Sequence, residues 1–283
     1  MLIKRQGPGA AEGRAGPGER GRGSAAPPPP ADSRVRALIG LLVLPVALLL
    51  HSLAVYLEVL LGAGPRRLQR YYLGFARLCM RVGGTRLEVR GTERLEPRQA
   101  YVVVANHEST WDPPVLVAAL PKLLIRFVVK RPIMRIPVFG PALRRSGNVT
   151  VVRHETEGDI RRVREGMERR HPDVSVLFFA EGTRSRDGAL HRFKMGAFAS
   201  APIYGLPILP VALAGTGAVL PRGSLQLRVG RVVVELGEPI PTDGLKLEDR
   251  AALRDRTYAT VRRLRARARA RLRELREEPG GID

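Results

Sequence analysis

Residues 106–112 read Asn-His-Glu-Ser-Thr-Trp-Asp, and they join a predicted strand to a predicted helix. The preceding residues, Tyr101 to Ala105, form a short apolar run that is typical of a buried strand. Asp112 is followed by two prolines. Aspartate is a good helix N-cap, and proline is tolerated in a first helical turn. We therefore expect a strand, a loop and a helix, with His107 where the strand ends and Asp112 where the helix begins.

His107 and Asp112 can form a catalytic pair only across such a loop. Five residues apart on one continuous helix, their side chains would point about 140° away from each other, at about 100° per residue. Across a tight loop they can meet. A carboxylate on one imidazole nitrogen then fixes the tautomer and leaves the other nitrogen as a base for a substrate hydroxyl. The alternative is an ordinary helix cap beside a bystander histidine.

The composition predicts an anionic partner and a reducing compartment. The chain has 283 residues, 44% of them hydrophobic, and a formal net charge of +21. Such a charge favours nucleic acid, anionic lipid or a phosphorylated substrate as partner. Aromatic residues make up only 5%, which argues against base stacking as the main binding mode. The single cysteine, Cys79, excludes an intrachain disulfide and a cysteine-based zinc site, and its apolar neighbours predict a buried thiol.

The first 82 residues predict a tail followed by a membrane-docking element. Residues 1–33 are rich in Gly, Pro, Ala and Arg, which predicts a disordered basic tail. Residues 37–61 are nearly all apolar and long enough to span a bilayer, but arginines flank both ends. Because basic flanks favour the cytoplasmic side, we expect a re-entrant or interfacial element within residues 34–82, bent at Pro45 or His51. A single span and a buried soluble helix are the alternatives.

Residues 66–82 predict an amphipathic helix that completes this element. Leu68, Tyr72, Phe75 and Cys79 fall on one face, and arginines supply the charge that suits a lipid headgroup layer. Together the two segments predict a protein associated with a membrane at its cytoplasmic face.

From residue 83 to residue 240, short strands alternate with helices. Strands are predicted at 87–89, 101–105, 124–129, 148–152, 174–179, 208–213 and 226–236, and helices at 113–120 and 159–170. This alternation predicts an α/β domain with a mixed, largely parallel sheet flanked by helices. The C-terminal segment, 241–283, is Arg-rich and predicts one long helix over 246–278. Its apolar seam is Leu253, Val261, Leu264, Ala268 and Leu275.

A second polar turn follows the strand at 174–179, where residues 181–185 read Glu-Gly-Thr-Arg-Ser. Gly182 lets the backbone approach a ligand closely. Arg184 could place its forked guanidinium on a phosphate, with help from Thr183 or backbone N–H groups. Taken alone, this turn is better explained as a surface turn with a solvated arginine.

Other cations end neighbouring strands. Lys130 follows the strand at 124–129, and Arg153 follows the strand at 148–152. Ligands of α/β sheets bind outside the carboxyl ends of the strands. Lys130, Arg153 and Arg184 are therefore expected to converge with His107 at one edge of the sheet, which makes a shared site the better explanation of all four.

Together these motifs resemble the 1-acylglycerol-3-phosphate O-acyltransferase family, within the glycerolipid acyltransferase superfamily. Residues 106–112 resemble its NHxxxxD motif, 147–153 its second motif, 181–185 its EGTRS motif and 206–211 its apolar Pro-x-x-Pro motif. Phe193-Lys-x-Gly196 resembles the FKxG stretch, and the resemblance covers residues 87–236. Two departures stand out. Residues 130–133 read Lys-Arg-Pro-Ile where many members have Lys-Lys-Glu-Leu, and residues 149–152 lack the usual aromatic residue and aspartate.

The resemblance implies a reaction and a set of roles. A fatty acyl group would pass from acyl-CoA or acyl-carrier protein to the free hydroxyl of lysophosphatidic acid, giving phosphatidic acid. His107 would be the general base, oriented by Asp112, and neither a metal nor a cofactor beyond the acyl donor is expected. The implied substrate-binding residues are Lys130, Arg153, Glu181, Gly182, Thr183 and Arg184. Glycerol-3-phosphate and a lyso-aminolipid remain alternative acceptors.

Two rival functions are weighed against this one. A membrane-tethered nucleic-acid-binding protein would use the arginines, and a phospholipid hydrolase would use a related lipid site. The two polar motifs at strand ends argue against the first, and the sequence has no GxSxG nucleophile elbow for the second. The expected partners are therefore membrane lipid, a lysophospholipid acceptor and an acyl donor, with no nucleic acid.

Overall fold

The computed structural model describes residues 31–151, 157–185 and 188–278. Two helices come first, α1 (Ala31–Leu60) and α2 (Pro65–Val82). The strands are β1 (Thr85–Arg90), β2 (Val102–Ala105), β3 (Leu124–Lys130), β4 (Val149–Val151), β5 (Val174–Phe179), β6 (Ile208–Ala214) and β7 (Gly230–Leu236). The further helices are α3 (Asp112–Ala119), α4 (Phe139–Arg145), α5 (Glu157–Glu168), α6 (Gly196–Ile203), α7 (Thr216–Val219) and α8 (Arg250–Glu277). Short 3-10 turns lie at Thr92–Arg94, Ile133–Arg135 and Leu247–Asp249.

The seven strands form one sheet in the order β1-β7-β6-β2-β5-β3-β4. Five of the six pairings are parallel, and β6 with β7 is the antiparallel pair. The predicted mixed, largely parallel sheet is therefore confirmed. Because β6, β2, β5, β3 and β4 run in the same direction, their carboxyl ends meet at one edge.

Alternating side chains of the strands fill a core on each face of the sheet. Val103 and Ala105 of β2 face the side covered by α2 and α3, where Cys79 is also buried. Val102 and Val104 face the side covered by α5, α6 and α8. Cys79 is the buried thiol that its neighbours predict, and burial raises its pKa to about 12. Burial on both faces is what a mainly parallel sheet requires.

α1 is one uninterrupted helix. It continues through Pro45 and His51, where bends were expected, although a proline removes one helical hydrogen bond. The turns on either side are apolar and helix-favouring, which keeps the helix in register. Residues Leu38–Leu60 are long and apolar enough to cross a membrane, and only 17% of the most apolar window is buried against protein. The choice between a span and an interfacial element stays a prediction.

The amphipathic helix predicted at 66–82 is confirmed as α2, and it is locked to the sheet through a buried arginine. Arg126 of β3 is 1% exposed, and its guanidinium lies 4.9 Å from the centre of the Tyr72 ring. Its Nη1 donates to Gln69 Oε1 at 3.2 Å, and its Nε donates to the carbonyl oxygen of Ser146 at 2.5 Å. Neutral acceptors and an aromatic face thus satisfy this cation.

The C-terminal helix starts later than predicted. The backbone N–H of Asp249 donates to the Lys246 carbonyl at 3.1 Å, which forms a 3-10 turn, and α8 begins only at Arg250. The predicted apolar seam is confirmed, since all five of its residues are buried. Likewise β7 begins at Gly230 and not at residue 226. The domain boundaries after residues 33, 82 and 240 stay predictions. Residues 1–30 of the tail predicted at 1–33 lie outside the described residues, and residues 31–33 already belong to α1.

Candidate active site

His107 and Asp112 are bonded across the loop between β2 and α3. His107 Nδ1 lies 2.7 Å from Asp112 Oδ2. The same oxygen accepts the backbone N–H groups of Glu108 at 2.7 Å and Ser109 at 3.0 Å. Asp112 is fully buried. Three donors therefore fix the carboxylate, and its bond at Nδ1 leaves Nε2 as the imidazole nitrogen that can accept a proton.

The expected N-cap role of Asp112 is wrong. Asp112 is the first residue of α3, and Trp111 occupies the cap position without a side-chain cap bond. The carboxylate is turned back toward the loop, where His107 and two loop amides use one of its oxygens. A negative charge in the first turn is still favoured by the helix dipole. The start of α3 thus fixes the position of Asp112, and the carboxylate of Asp112 bonds His107.

The end of β2 is held tightly between its neighbours. Asn106 Nδ2 donates to the carbonyl oxygen of Leu213 at 3.0 Å, and the Leu213 N–H donates to Asn106 Oδ1 at 2.9 Å. On the other side, the Ala180 N–H donates to the Ala105 carbonyl at 3.2 Å. The asparagine side chain extends the strand ladder by one step. His107 therefore leaves a rigid strand end.

The face of the His107 ring lies against Phe179. The two ring centroids are 4.0 Å apart, and the planes differ by 17°. This follows from the sheet, because Ala105 of β2 pairs with Phe179 of β5. His107 keeps 18% of its side chain exposed, so the ring is packed yet reachable.

Glu181 ties the second motif to the first. Its Oε1 accepts the His107 N–H at 2.9 Å, and its Oε2 accepts the His191 N–H at 2.8 Å. The Ser185 N–H donates to the His107 carbonyl at 3.0 Å, so the turn runs alongside the histidine backbone. Burial raises the pKa of Glu181, while its two amide bonds oppose that shift. Its oxygens brace the two loops, and the expectation that Glu181 shapes the acceptor site stays a prediction.

Gly182 has a left-handed backbone conformation with φ +69°. A Cβ at this position would lie 2.6 Å from Cδ and Cε of the Lys194 side chain. Both the conformation and the close neighbour favour glycine. The close approach predicted here is therefore present, but the neighbour is Lys194 of the FKxG stretch.

The remaining predicted binding residues lie around this turn. Thr183 is exposed and Arg184 half-buried, and the Arg184 carbonyl accepts Arg222 Nη1 at 3.1 Å. Lys130 is the last residue of β3, which pairs with β5. It therefore lies at the same edge of the sheet as His107, with β5 between β3 and β2. Arg153 lies outside the described residues. The structure thus bonds His107, Asp112 and Glu181 together, with Lys130 at the end of β3 and Arg184 in the turn after β5.

Several contributors were missed by the sequence reasoning. Phe179 lies two residues before the turn at 181–185, and Asn106 belongs to the first motif but was given no role, so both positions held a signal. Arg265 of α8 contacts Glu108 of the first motif from a distant part of the chain, and no local pattern marks it. Among the described residues, no group of three or more His, Cys, Asp or Glu could hold a metal ion.

Comparison with known proteins identifies the family. The sequence model of the family described as Acyltransferase matches residues 86–214. A 1-acyl-sn-glycerol-3-phosphate acyltransferase of Pseudomonas aeruginosa is 31% identical over 181 residues, which are 64% of this chain and 69% of that protein. The chain belongs to the 1-acylglycerol-3-phosphate acyltransferase family. The region that the family model matches, 86–214, contains both polar motifs and ends before α8 begins.

A bovine relative is covered over a smaller share of its length, and a solved structure over nearly all of its chain. The 1-acyl-sn-glycerol-3-phosphate acyltransferase alpha of Bos taurus is 34% identical over 174 residues, and the chain spans 61% of its own length and 60% of the bovine protein. The crystal structure of the LPA acyltransferase PlsC from Thermotoga maritima has a TM-score of 0.69 and 24% identity. It covers 82% of this chain and 94% of that chain, and it supports the α/β fold.

Proposed function

We propose that the protein transfers a fatty acyl group from acyl-CoA or acyl-carrier protein to the free hydroxyl of lysophosphatidic acid, giving phosphatidic acid. The observation that carries this proposal is the 2.7 Å contact between His107 Nδ1 and Asp112 Oδ2 at the carboxyl edge of the sheet. The names of the relatives in the family support the same acceptor.

In the proposed reaction, His107 acts directly on the acceptor. Nε2 removes the proton of the acceptor hydroxyl as its oxygen attacks the thioester carbonyl carbon. The new ester C–O bond forms, the C–S bond breaks, and His107 passes the proton to the departing thiolate. Asp112 holds the Nδ1 proton and stabilises the imidazolium that forms between these steps. Because a thioester is already activated, a positioned base and proximity suffice.

The acceptor phosphate is assigned to the cations at the same edge. Arg184, with Thr183 beside it, follows the turn that Glu181 braces against His107. Lys130 ends the neighbouring strand and supplies a further positive charge. Arg153 is proposed for the same phosphate from its sequence position alone. A forked guanidinium suits a phosphate because it can donate two parallel hydrogen bonds.

The lipid substrates are proposed to reach this edge from a membrane, at its cytoplasmic face. α1 exposes large apolar side chains, including Leu42 at 64% and Leu50 at 60%. Arg70 and Arg77 on α2 are exposed beside it and suit an anionic headgroup layer. Membrane lipid is therefore the proposed partner of the helix pair, and nucleic acid is not.

A product analysis tests the proposed function. The purified protein is incubated with palmitoyl-CoA or palmitoyl-carrier protein and, in turn, lysophosphatidic acid, glycerol-3-phosphate or a lyso-aminolipid, and products are weighed by mass spectrometry. Phosphatidic acid is the expected main product, unchanged by EDTA because no metal takes part. A main product from another acceptor would replace the proposed one. Free fatty acid in place of an ester would indicate hydrolysis and contradict the proposal.

A further inference from the structure

Arg265 lies on α8, outside the region that the family model matches, yet it contacts both motif loops. It is 8% exposed. Its Nη2 lies 3.5 Å from Glu108 Oε1 and also donates to the carbonyl oxygen of Gly188. Glu108 directly follows His107, and Gly188 lies just beyond the turn at residues 181–185. One guanidinium nitrogen thus joins the two loops that the proposed chemistry uses.

Arg269 repeats this contact one helical turn later. Its Nη2 donates to the Gly188 carbonyl at 2.7 Å and lies 3.9 Å from Glu108 Oε1. A spacing of four residues places both arginines on one face of the helix. The Arg269 side chain is 45% exposed and that of Arg265 is 9% exposed, so Arg265 is the buried member of the pair.

The arginine pair also balances charge around the histidine. Burial and the neighbouring Asp112 raise the pKa of Glu108, and Arg265 and Arg269 oppose that shift. The charge of Arg265 also acts on Glu181. Asp112 is bonded to the imidazole and Glu181 to the backbone N–H of His107. Glu108, Asp112 and Glu181 are thus acidic residues in or beside the His107 loop, and α8 supplies positive charge to Glu108 and Glu181.

These contacts do not serve merely to attach α8 to the sheet. The helix already buries its apolar seam, including Val261 and Leu264, against the sheet. It has another polar attachment, where Arg271 Nε donates to Glu88 of β1 at 2.9 and 3.2 Å. Arg265 differs from Arg271 in that its acceptors belong to the loops that carry His107 and Arg184.

We propose that Arg265 is a positioning residue that clamps the His107 loop and the turn at residues 181–185 to α8. Arg269 is the second, more exposed contact of this clamp. This inference rests on the proposed acyl transfer for its kinetic part only. Both contacts use the same nitrogen, Nη2, so the ammonium of a lysine would keep the charge and part of the clamp on a differently shaped side chain.

The test compares Arg265→Met, Arg265→Lys and Arg269→Met with the control Arg271→Met in the full chain. Hydrogen exchange of the amides near Ser109 and Gly188 is measured together with kcat and KM for phosphatidic acid formation. Arg265→Met is expected to speed exchange at both loops and to lower kcat about tenfold or more, with a smaller change in KM for the donor. Arg265→Lys is expected to lie between Arg265→Met and the wild type, and Arg271→Met to match the wild type.

The outcomes are distinguishable. If the wild type transfers no acyl group, the proposed function fails, and the exchange measurement still tests the clamp. If folded Arg265→Met matches the wild type in exchange and kcat, the clamp is overturned. An equal loss in Arg271→Met would also overturn it, because the effect would then belong to helix docking in general. Should Arg265→Met not fold, unchanged exchange at Gly188 and unchanged kcat in Arg269→Met overturn the clamp.

Discussion

The imidazole of His107 stacks on the phenyl ring of Phe179, with centroids 4.0 Å apart. Asp112 holds the edge of the same imidazole through Nδ1. The histidine is therefore fixed in two directions, by a hydrogen bond in the plane of the ring and by a packed face across it. Phe179 ends β5 and Asp112 begins α3, so the sheet supplies one support and the helix that follows β2 supplies the other.

Replacing Phe179 should loosen the base without removing it. Aromatic pairs are worth about 0.5–1.5 kcal/mol beyond area burial, so Phe179→Leu should lower kcat roughly 2- to 13-fold. KM for the donor should change little. Steady-state kinetics check this, with Phe75→Leu as control, since Phe75 stacks on His51 at 5.0 Å away from the site. An unchanged kcat would show that the stack does not position His107.

Glu181 should make stability depend on pH in a definite direction. Burial raises its pKa above the ordinary 4.5, so the folded state holds this proton more tightly than the unfolded state. Stability from this group is full below about pH 4.5 and falls as pH rises through the raised value. Glu181→Gln does not titrate, so the wild type's Tm advantage over it should shrink as pH rises.

Thermal unfolding from about pH 4 to about pH 8 measures that difference in Tm. Because the other groups are common to both proteins, their titration largely cancels. Glu277→Gln, an exposed substitution on α8, is the matched control for removing a carboxylate. A Tm advantage that grows with pH would contradict the assigned direction.

Arg184 should discriminate the acceptor by its phosphate. Losing a hydrogen bond to a charged group costs about 1.5–3 kcal/mol, which is roughly 10- to 150-fold in affinity. Arg184→Lys should therefore raise KM for lysophosphatidic acid by that range, with little effect on any activity toward a neutral lysolipid. Kinetics on both acceptors check this, with the exposed Arg192→Lys as control. An equal loss on both acceptors would remove the phosphate role.

The motifs and the positions of the strands along the chain could be predicted from the sequence because both are local patterns. Apolar runs gave the strands, and polar residues at their ends gave His107 and the turn at 181–185. What could not be predicted was how side chains are used once the strands pair. Glu181 looks like a ligand-binding group in sequence, and only the pairing of β2 with β5 brings the His107 N–H to it.

A further difference has the same origin in tertiary structure. Arg265 is one arginine among many on α8, and only the packing of that helix on β6 and β7 brings it to Glu108. Contacts between distant parts of the chain leave no local pattern.

Charging the exposed face of α1 should release the protein from membranes. An aspartate at the centre of an apolar helix costs about 2.5–3.5 kcal/mol in a bilayer. Leu42→Asp with Leu50→Asp should therefore greatly reduce cosedimentation with anionic vesicles, while the α/β core stays folded. Leu225→Asp is the control, because Leu225 is 75% exposed but lies outside α1. Unchanged vesicle binding would place the docking surface elsewhere, with the arginines of α8 as the next candidate.

The most direct test of the account is the turnover of His107→Ala in phosphatidic acid formation. Loss of a positioned base should reduce kcat about 10²- to 10⁴-fold, with little change in binding of the acyl donor. Asp112→Asn should also reduce kcat, because His107 loses the carboxylate that orients it and stabilises its charged form. A correctly folded His107→Ala protein that turns over within about threefold of the wild type would contradict the assignment of His107 as the base.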